Sequence, residues 1–156
     1  MTAPDAAAPA AAAAVGPPTF RPQLAASAAV FKDGRLLIAR RALGPGPGLW
    51  SLPGGRVEAG ETLAEAAARE VMEEVGVEAE IVAVAGIREI VRRDAAGQPV
   101  AHFVVIAHAA RWRAGEPTIG PEAAEVAWVD PRDLGDRPTT DGLAEIVASA
   151  VRIAGV

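Results

Sequence analysis

Residues 55–77 read GRVEAGETLAEAAAREVMEEVGV, and this stretch decides the fold. Within it Glu73 and Glu74 follow Glu70 by three and four residues, a spacing that places the three side chains on one face of an α-helix. Three like charges on one face repel one another unless positive charge lies against them. Carboxylate oxygens are preferred ligands of Mg²⁺, which commonly also binds the phosphates of a substrate. The spacing therefore predicts metal-dependent chemistry on a phosphate compound.

The stretch also has the start and stop signals of a helix covering residues 63–75. Thr62 and Glu65 fit the capping-box pattern S/T-x-x-E, which satisfies backbone amides at a helix start. Gly76 suits the left-handed residue that ends a helix. Pro53, Gly54 and Gly55 predict a tight loop before the helix, and its backbone can approach a ligand closely because glycine has no Cβ. The expected buried stripe of the helix is Leu63, Ala67, Val71 and Val75.

The same residues resemble the signature of the Nudix hydrolase family, G-x5-E-x7-R-E-U-x-E-E-x-G-U, in which U is an aliphatic residue. Every fixed position is matched, within 23 of the 156 residues. The resemblance implies an α/β fold of the Nudix type, an α/β/α sandwich with a mixed β-sheet between helices. The matching positions are Gly55, Glu61, Arg69, Glu70, Val71, Glu73, Glu74, Gly76 and Val77.

The resemblance implies a metal site in this stretch. Glu70, Glu73 and Glu74 would hold Mg²⁺, for which Mn²⁺ can substitute. A backbone carbonyl of Gly54 or Gly55 would complete the ligand set.

Three further positions of the signature would have a structural role. Arg69 is expected to pair with Glu61 and to order the signature rather than to touch the substrate. Gly76 would end the helix.

Family members use water to cleave a nucleoside diphosphate linked to a further moiety, so a group must accept the proton of the water. Glu73 and Glu74 are candidate catalytic residues within the helix. In several relatives a later glutamate is used, and Glu122 or Glu125 could take that place. Glu122 is preferred because it lies in the looser part of PEAAEVAWVD.

Four residues outside the helix are candidates for binding substrate. Arg41 and Arg56 could contact phosphate, although alternation along a strand lets only one of Arg40 and Arg41 face a given side. Trp50 could stack on a base, or pack in the core instead. His102 could line the substrate cleft, or be an ordinary strand histidine.

The rest of the chain predicts one mixed α/β domain over residues 23–156. The turn Asp33-Gly34 separates the first two of its predicted strands. Asp130-Pro131 could open a helical turn, and Thr139, Thr140 or Asp141 could cap the last helix. The predicted strands are 25–31, 35–41, 77–91, 100–112 and 125–129, and the last helix is 143–153.

Composition limits the function classes. Residues 1–22 form a low-complexity Ala/Pro run that predicts a disordered tail rather than a signal peptide. The net charge of −5 argues against nucleic acid as a partner, and no stretch is apolar enough to span a membrane. The absence of cysteine fits the cytoplasm. A homodimer stays open, because relatives occur as monomers and as dimers.

The segments that flank the signature resemble small bacterial proteins of the ADP-ribose pyrophosphatase-like group. This resemblance implies hydrolysis of a nucleoside diphosphate derivative, foremost ADP-ribose to AMP and ribose 5-phosphate. A MutT-like enzyme that cleaves nucleoside triphosphates to cleanse the nucleotide pool is the alternative. A nucleotide sensor without hydrolysis is a third reading, but such proteins usually have a damaged signature.

Overall fold

A mixed β-sheet and two helices make up residues 21–43 and 46–156, the part of the chain that this computed structural model describes. Most of the predicted tail, residues 1–22, lies outside these ranges. The elements are β1 Gln23–Lys32, β2 Arg35–Arg41, β3 Trp50–Ser51, β4 Gly54–Arg56, α1 Leu63–Val75, β5 Glu78–Arg93, β6 Pro99–Ala114, β7 Ala123–Val129 and α2 Leu143–Ala154.

The sheet joins strands that are distant in sequence. Its order is β3-β2-β1-β6-β5, while β4 also pairs with β1, and β7 with β2. β1 runs parallel to β6, starting with Gln23 opposite Phe103, and the other strand pairs are antiparallel. The β1–β2 turn has positive φ at both central residues, Asp33 and Gly34, as a tight hairpin requires.

One helix covers each face of the sheet. On one side α1 packs its Val71 and Val75 against Ala28 and Val30 of β1. On the other side α2 packs Val147 against Phe31 in a second apolar cluster. The predicted α/β/α sandwich with a mixed sheet is therefore confirmed. Neither helix in the described part of the chain is long and apolar enough to cross a membrane.

The local signals of α1 are confirmed, with one correction. Thr62 accepts a hydrogen bond from the backbone N–H of Glu65, the Glu65 side chain accepts one from Thr62, and Gly76 ends the helix at φ 69°. The buried stripe contains Ala66, whereas Leu63 is only half-buried. Leu63 belongs to the first turn, where the helix has only begun to meet the sheet.

Two other sequence expectations are wrong, and a third is met only in part. The cap of α2 is Gly142 at φ 73°, without a side-chain hydrogen bond, so no Thr or Asp caps this helix. Asp130-Pro131 opens a single turn, in which the N–H of Asp133 donates to the carbonyl oxygen of Asp130 and the N–H of Arg132 donates to its carboxylate, but no helix continues from it. Part of the predicted glycine loop is instead the strand β4, which pairs with β1.

The two threonines before the helices provide a stability test. Replacing Thr62 by Ala removes an N-cap and should lower the free energy of unfolding by about 1 kcal/mol. Thr140→Ala is the matched control, since Thr140 precedes α2 but does not cap it. Denaturant unfolding of both variants measures the difference. Equal losses would show that the hydrogen bond of Thr62 contributes nothing.

Candidate functional site

One arginine lies against the acidic face of α1. The Arg69 guanidinium donates hydrogen bonds of 3.0 Å to Glu61, Glu70 and Glu73, and another of 3.0 Å to the carbonyl oxygen of Arg56. The hydrogen bond with Arg69 holds the pKa of Glu61 below its usual value, and the bond to Glu61 is the main cause that raises the pKa of Arg69. A single cation thus offsets the repulsion within the signature and ties α1 to β4.

Two glycines of β4 bring the backbone close to this face. The N–H of Gly54 donates to Glu74 Oε2 over 3.2 Å. A Cβ on Gly55 would lie 2.5 Å from the carboxyl carbon of Glu70, and one on Gly54 would lie 2.5 Å from Ser27 Cβ. A larger residue at Gly54 would therefore collide with β1, and one at Gly55 would displace the carboxylate of Glu70. The glycines are required by close approach rather than by an unusual φ.

The carboxylates Glu70 and Glu74 are held where ionisation is unfavourable. Burial is the main cause that raises the pKa of Glu74 to about 7, and the negative charges of Glu70 and Glu122 raise it further. The hydrogen bond from the N–H of Gly54 and the positive charge of Arg41 act in the opposite direction and lower this pKa. Burial also raises the pKa of Glu70. A partly buried group of mutually repelling oxygen ligands is a donor set that fits a hard divalent cation.

The carboxylates do not yet converge on one point. Within residues 21–43 and 46–156, no three acidic or histidine side chains are close enough together to hold a metal ion as they stand. The hydrogen bonds explain this spacing, because Glu70 and Glu73 turn towards Arg69 while Glu74 turns towards Gly54. The chemistry and placement of the donors fit a divalent cation, and changes of side-chain torsion would be needed to bind it.

The structure shows which member of two residue pairs lines the cleft, a choice that the sequence did not decide. The pairs are Glu122 and Glu125, and Arg40 and Arg41. Glu125 forms an ion pair with Arg40, with 2.9 Å between Oε2 and Nε. Glu122 and Arg41 instead line the same cleft as Glu70 and influence the pKa of Glu74. Alternation along β2 therefore sends Arg41 to the cleft and Arg40 away from it.

This cleft has a volume of about 1030 Å³ and lies between the sheet, α1 and the start of α2. Arg56 lines it, with its guanidinium 5.9 Å from the centre of the Phe103 ring. The residues that line the cleft and are used below are Ala25, Ser27, Arg41, Gly54, Gly55, Arg56, Glu70, Glu73, Glu74, Arg88, Ile90, Phe103, Val105, Glu122, Asp141, Gly142, Leu143 and Ile146.

Two predicted substrate contacts lie elsewhere. Trp50 is buried in the core on the α2 side, with the Arg137 guanidinium 5.4 Å from its ring centre. His102 Nε2 lies 2.8 Å from Glu89 Oε1, and its side chain does not line the cleft. The strand alternation that places Phe103 in the cleft turns His102 to the opposite face.

Sequence reasoning missed the far wall of the cleft. Arg88, Ile90 and Val105 lie on β5 and β6, and Gly142 precedes α2. None of them belongs to a motif, and only long-range strand pairing brings them opposite the signature. The alternation of β5 could have indicated that Arg88 and Ile90 share a face, but not which face.

A family model for the NUDIX domain matches residues 21–150. The chain therefore belongs to the Nudix hydrolase family. An ADP-ribose pyrophosphatase from Methanocaldococcus jannaschii is 33% identical over 115 residues, which span 74% of this chain and 66% of that protein.

The solved structures that resemble this fold include two Nudix hydrolases. A MutT NUDIX hydrolase from Burkholderia pseudomallei superposes with a TM-score of 0.69 at 28% identity, covering 83% of this chain and 98% of the other. An ADP-ribose pyrophosphatase from Streptococcus suis superposes with a TM-score of 0.63 at 27% identity, covering 87% and 94%.

The contacts of Arg69 predict a stability effect. Arg69→Met leaves partly buried carboxylates without their cation and should lower the free energy of unfolding by about 2–3 kcal/mol. Arg113→Met is the control, because Arg113 pairs with Glu80 at an exposed site and such pairs contribute at most about 1 kcal/mol. Chemical unfolding measures both losses. A smaller loss for Arg69→Met than for Arg113→Met would contradict the compensating role of Arg69.

Proposed function

We propose that the protein is an Mg²⁺-dependent hydrolase that cleaves the diphosphate of a nucleoside diphosphate derivative, foremost ADP-ribose. The observation that carries the proposal is that Glu70 and Glu74 of α1 and Glu122, from the turn before β7, line the same large cleft, where Glu70 and Glu122 both raise the pKa of Glu74. The likeness to two proteins named ADP-ribose pyrophosphatase supports the substrate.

Glu70, Glu73 and Glu74 would hold the cation, beside the backbone of Gly54 and Gly55. Bound there, Mg²⁺ supplies charge neutralisation on the phosphate oxygens and lowers the pKa of a coordinated water. Mn²⁺ has the same preference for oxygen ligands and could replace it.

The protein's own groups position the reactants. Arg69 keeps the acidic face of α1 ordered, and Arg41 and Arg56 offer guanidinium groups to phosphate oxygens in the cleft. Water attacks one phosphorus of ADP-ribose, the bridging P–O bond breaks, and AMP and ribose 5-phosphate leave. Glu122 is the proposed acceptor of the proton of the water, with Glu73 as the alternative within α1.

Hydrolysis of nucleoside triphosphates is the second candidate function. The likeness to a MutT hydrolase supports it, and the proposed metal site would serve either substrate. The two functions differ in products, since a triphosphate would give a monophosphate and pyrophosphate.

Glu74→Gln tests the metal site. Gln keeps the shape and an acceptor for the N–H of Gly54 but removes a charged ligand, so turnover should fall by at least about 100-fold. Glu78→Gln, at the exposed start of β5, should leave turnover unchanged. Products of ADP-ribose and a nucleoside triphosphate panel are separated by chromatography, with and without EDTA. Full activity of Glu74→Gln, or activity in EDTA, would refute the metal assignment.

Glu122→Gln and Glu125→Gln test the choice of base. Loss of a general base should lower kcat by about 10²- to 10⁴-fold while KM changes little. Glu125→Gln is the matched control, because Glu125 pairs with Arg40 outside the cleft. Steady-state kinetics on the best substrate gives both constants. If Glu125→Gln alone loses kcat, the assignment of the base to Glu122 is wrong.

A further inference from the structure

The Arg88 side chain lines the cleft and packs against a glycine. Its guanidinium lies directly against Gly142, where a Cβ would collide with it, and Gly142 also has a positive φ of 73°. Among the described residues, no hydrogen bond or ion pair joins the Arg88 side chain to another group. The guanidinium is therefore positioned by packing, and its donors have no partner within residues 21–43 and 46–156.

Arg88 lies at the end of the cleft that is remote from Glu70, Glu73 and Glu74. It belongs to a row of directly opposed residues on four neighbouring strands, β4, β1, β6 and β5. Since strands lie about 4.8 Å apart, the two ends of the row are separated by roughly 14 Å. The β4 end adjoins the proposed metal ligands. The row is Arg56, Ala25, Val105 and Arg88.

An apolar ledge lies beside Arg88. Ile90 and Phe103 are directly opposite each other in the next row of β5 and β6, and Val105 continues the surface. All three line the cleft, and Ile90 is 42% exposed, so its side chain is open to a ligand there. Leu143 and Ile146 of α2 add apolar surface beside Gly142.

We infer that this ledge, formed by Ile90, Phe103 and Val105, binds the nucleobase of the substrate, and that Arg88 is a specificity-determining residue at its edge. The inference rests on the proposed nucleotide function. A planar base has an apolar face to cover the ledge, and arginine both stacks on aromatic rings and donates to ring acceptors. The distance of roughly 14 Å leaves room for a ribose between the base and a metal-bound diphosphate.

The surroundings of Arg88 favour a neutral base over a second phosphate. Apolar side chains of Ile90, Val105 and Leu143 line the cleft near the guanidinium, and the positive charge of Arg92, which also lines it, is accompanied by the negative charge of Glu89. Asp141, next to Gly142, also lines the cleft, and its negative charge would oppose a phosphate but not a base. Arg88 thus selects for the nucleoside end of the substrate.

Two ligands that differ only in the base test this inference. AMP and ribose 5-phosphate carry the same phosphorylated pentose, and their dissociation constants with Mg²⁺ can be measured by calorimetry. Arg88→Met keeps the apolar stem of the side chain and removes the guanidinium. We expect it to weaken AMP binding about 10-fold and to leave ribose 5-phosphate within twofold. Phe103→Leu should act in the same direction.

Arg93→Ala is the matched control, because Arg93 lies on the same strand but does not line the cleft. It should bind both ligands as the unmodified protein does, and melting temperatures check that each variant is folded. An equal loss of both ligands in Arg88→Met would make Arg88 a phosphate contact and overturn the inference. So would unchanged AMP binding, or AMP binding no tighter than ribose 5-phosphate in the unmodified protein.

The two proposals can fail separately. Hydrolysis of ADP-ribose together with unaltered AMP binding by Arg88→Met would leave the function standing and remove the base subsite. Base-dependent AMP binding that Arg88→Met abolishes, without hydrolysis of any nucleotide, would support the subsite and refute the hydrolase proposal.

Discussion

The site depends on the compensation of several carboxylates by one guanidinium. Arg69 reaches Glu61, Glu70 and Glu73 at once, so that an acidic helix face can lie close to the sheet. Without it, repulsion between the like charges would destabilise α1. The same contacts hold the carboxylates apart from one another. A cation that binds there must compete with the arginine for Glu70 and Glu73.

Close approach of α1 and the sheet is the second constraint, and β4 makes it possible. Gly54 and Gly55 bring peptide backbone to within contact of Glu74 and Glu70, with β1 directly behind. Because β4 lies between α1 and β1, the partly buried carboxylates of Glu70 and Glu74 lie beside main-chain polar groups. This arrangement accounts for the raised pKa of both acids, because burial dominates in each case.

Local signals predicted the parts of the molecule that depend on local physics. The limits of α1, its capping box and Gly76 follow from hydrogen bonds within a few residues of sequence, and the structure has them as expected. The alternation along β2 predicted that only one of Arg40 and Arg41 lines the cleft, but it did not indicate which one. The position of Arg88 in the cleft could not be predicted from the sequence, because its contact with Gly142 requires the packing of α2 against β5. Burial of Ala66 in place of Leu63 likewise depends on where the sheet begins beneath the helix.

The parallel pairing of β1 with β6 has a consequence for the order of folding. Gln23 pairs with Phe103, so the central strand pair closes a loop of about 80 residues, an entropic cost that local hairpins do not bear. The β5–β6 hairpin and the β1–β4 pair can each form from segments that are closer in sequence, before β1 pairs with β6. During synthesis on the ribosome, α1 is complete long before β6 emerges. Because the cleft lies on this strand pair, we expect it to form late in folding.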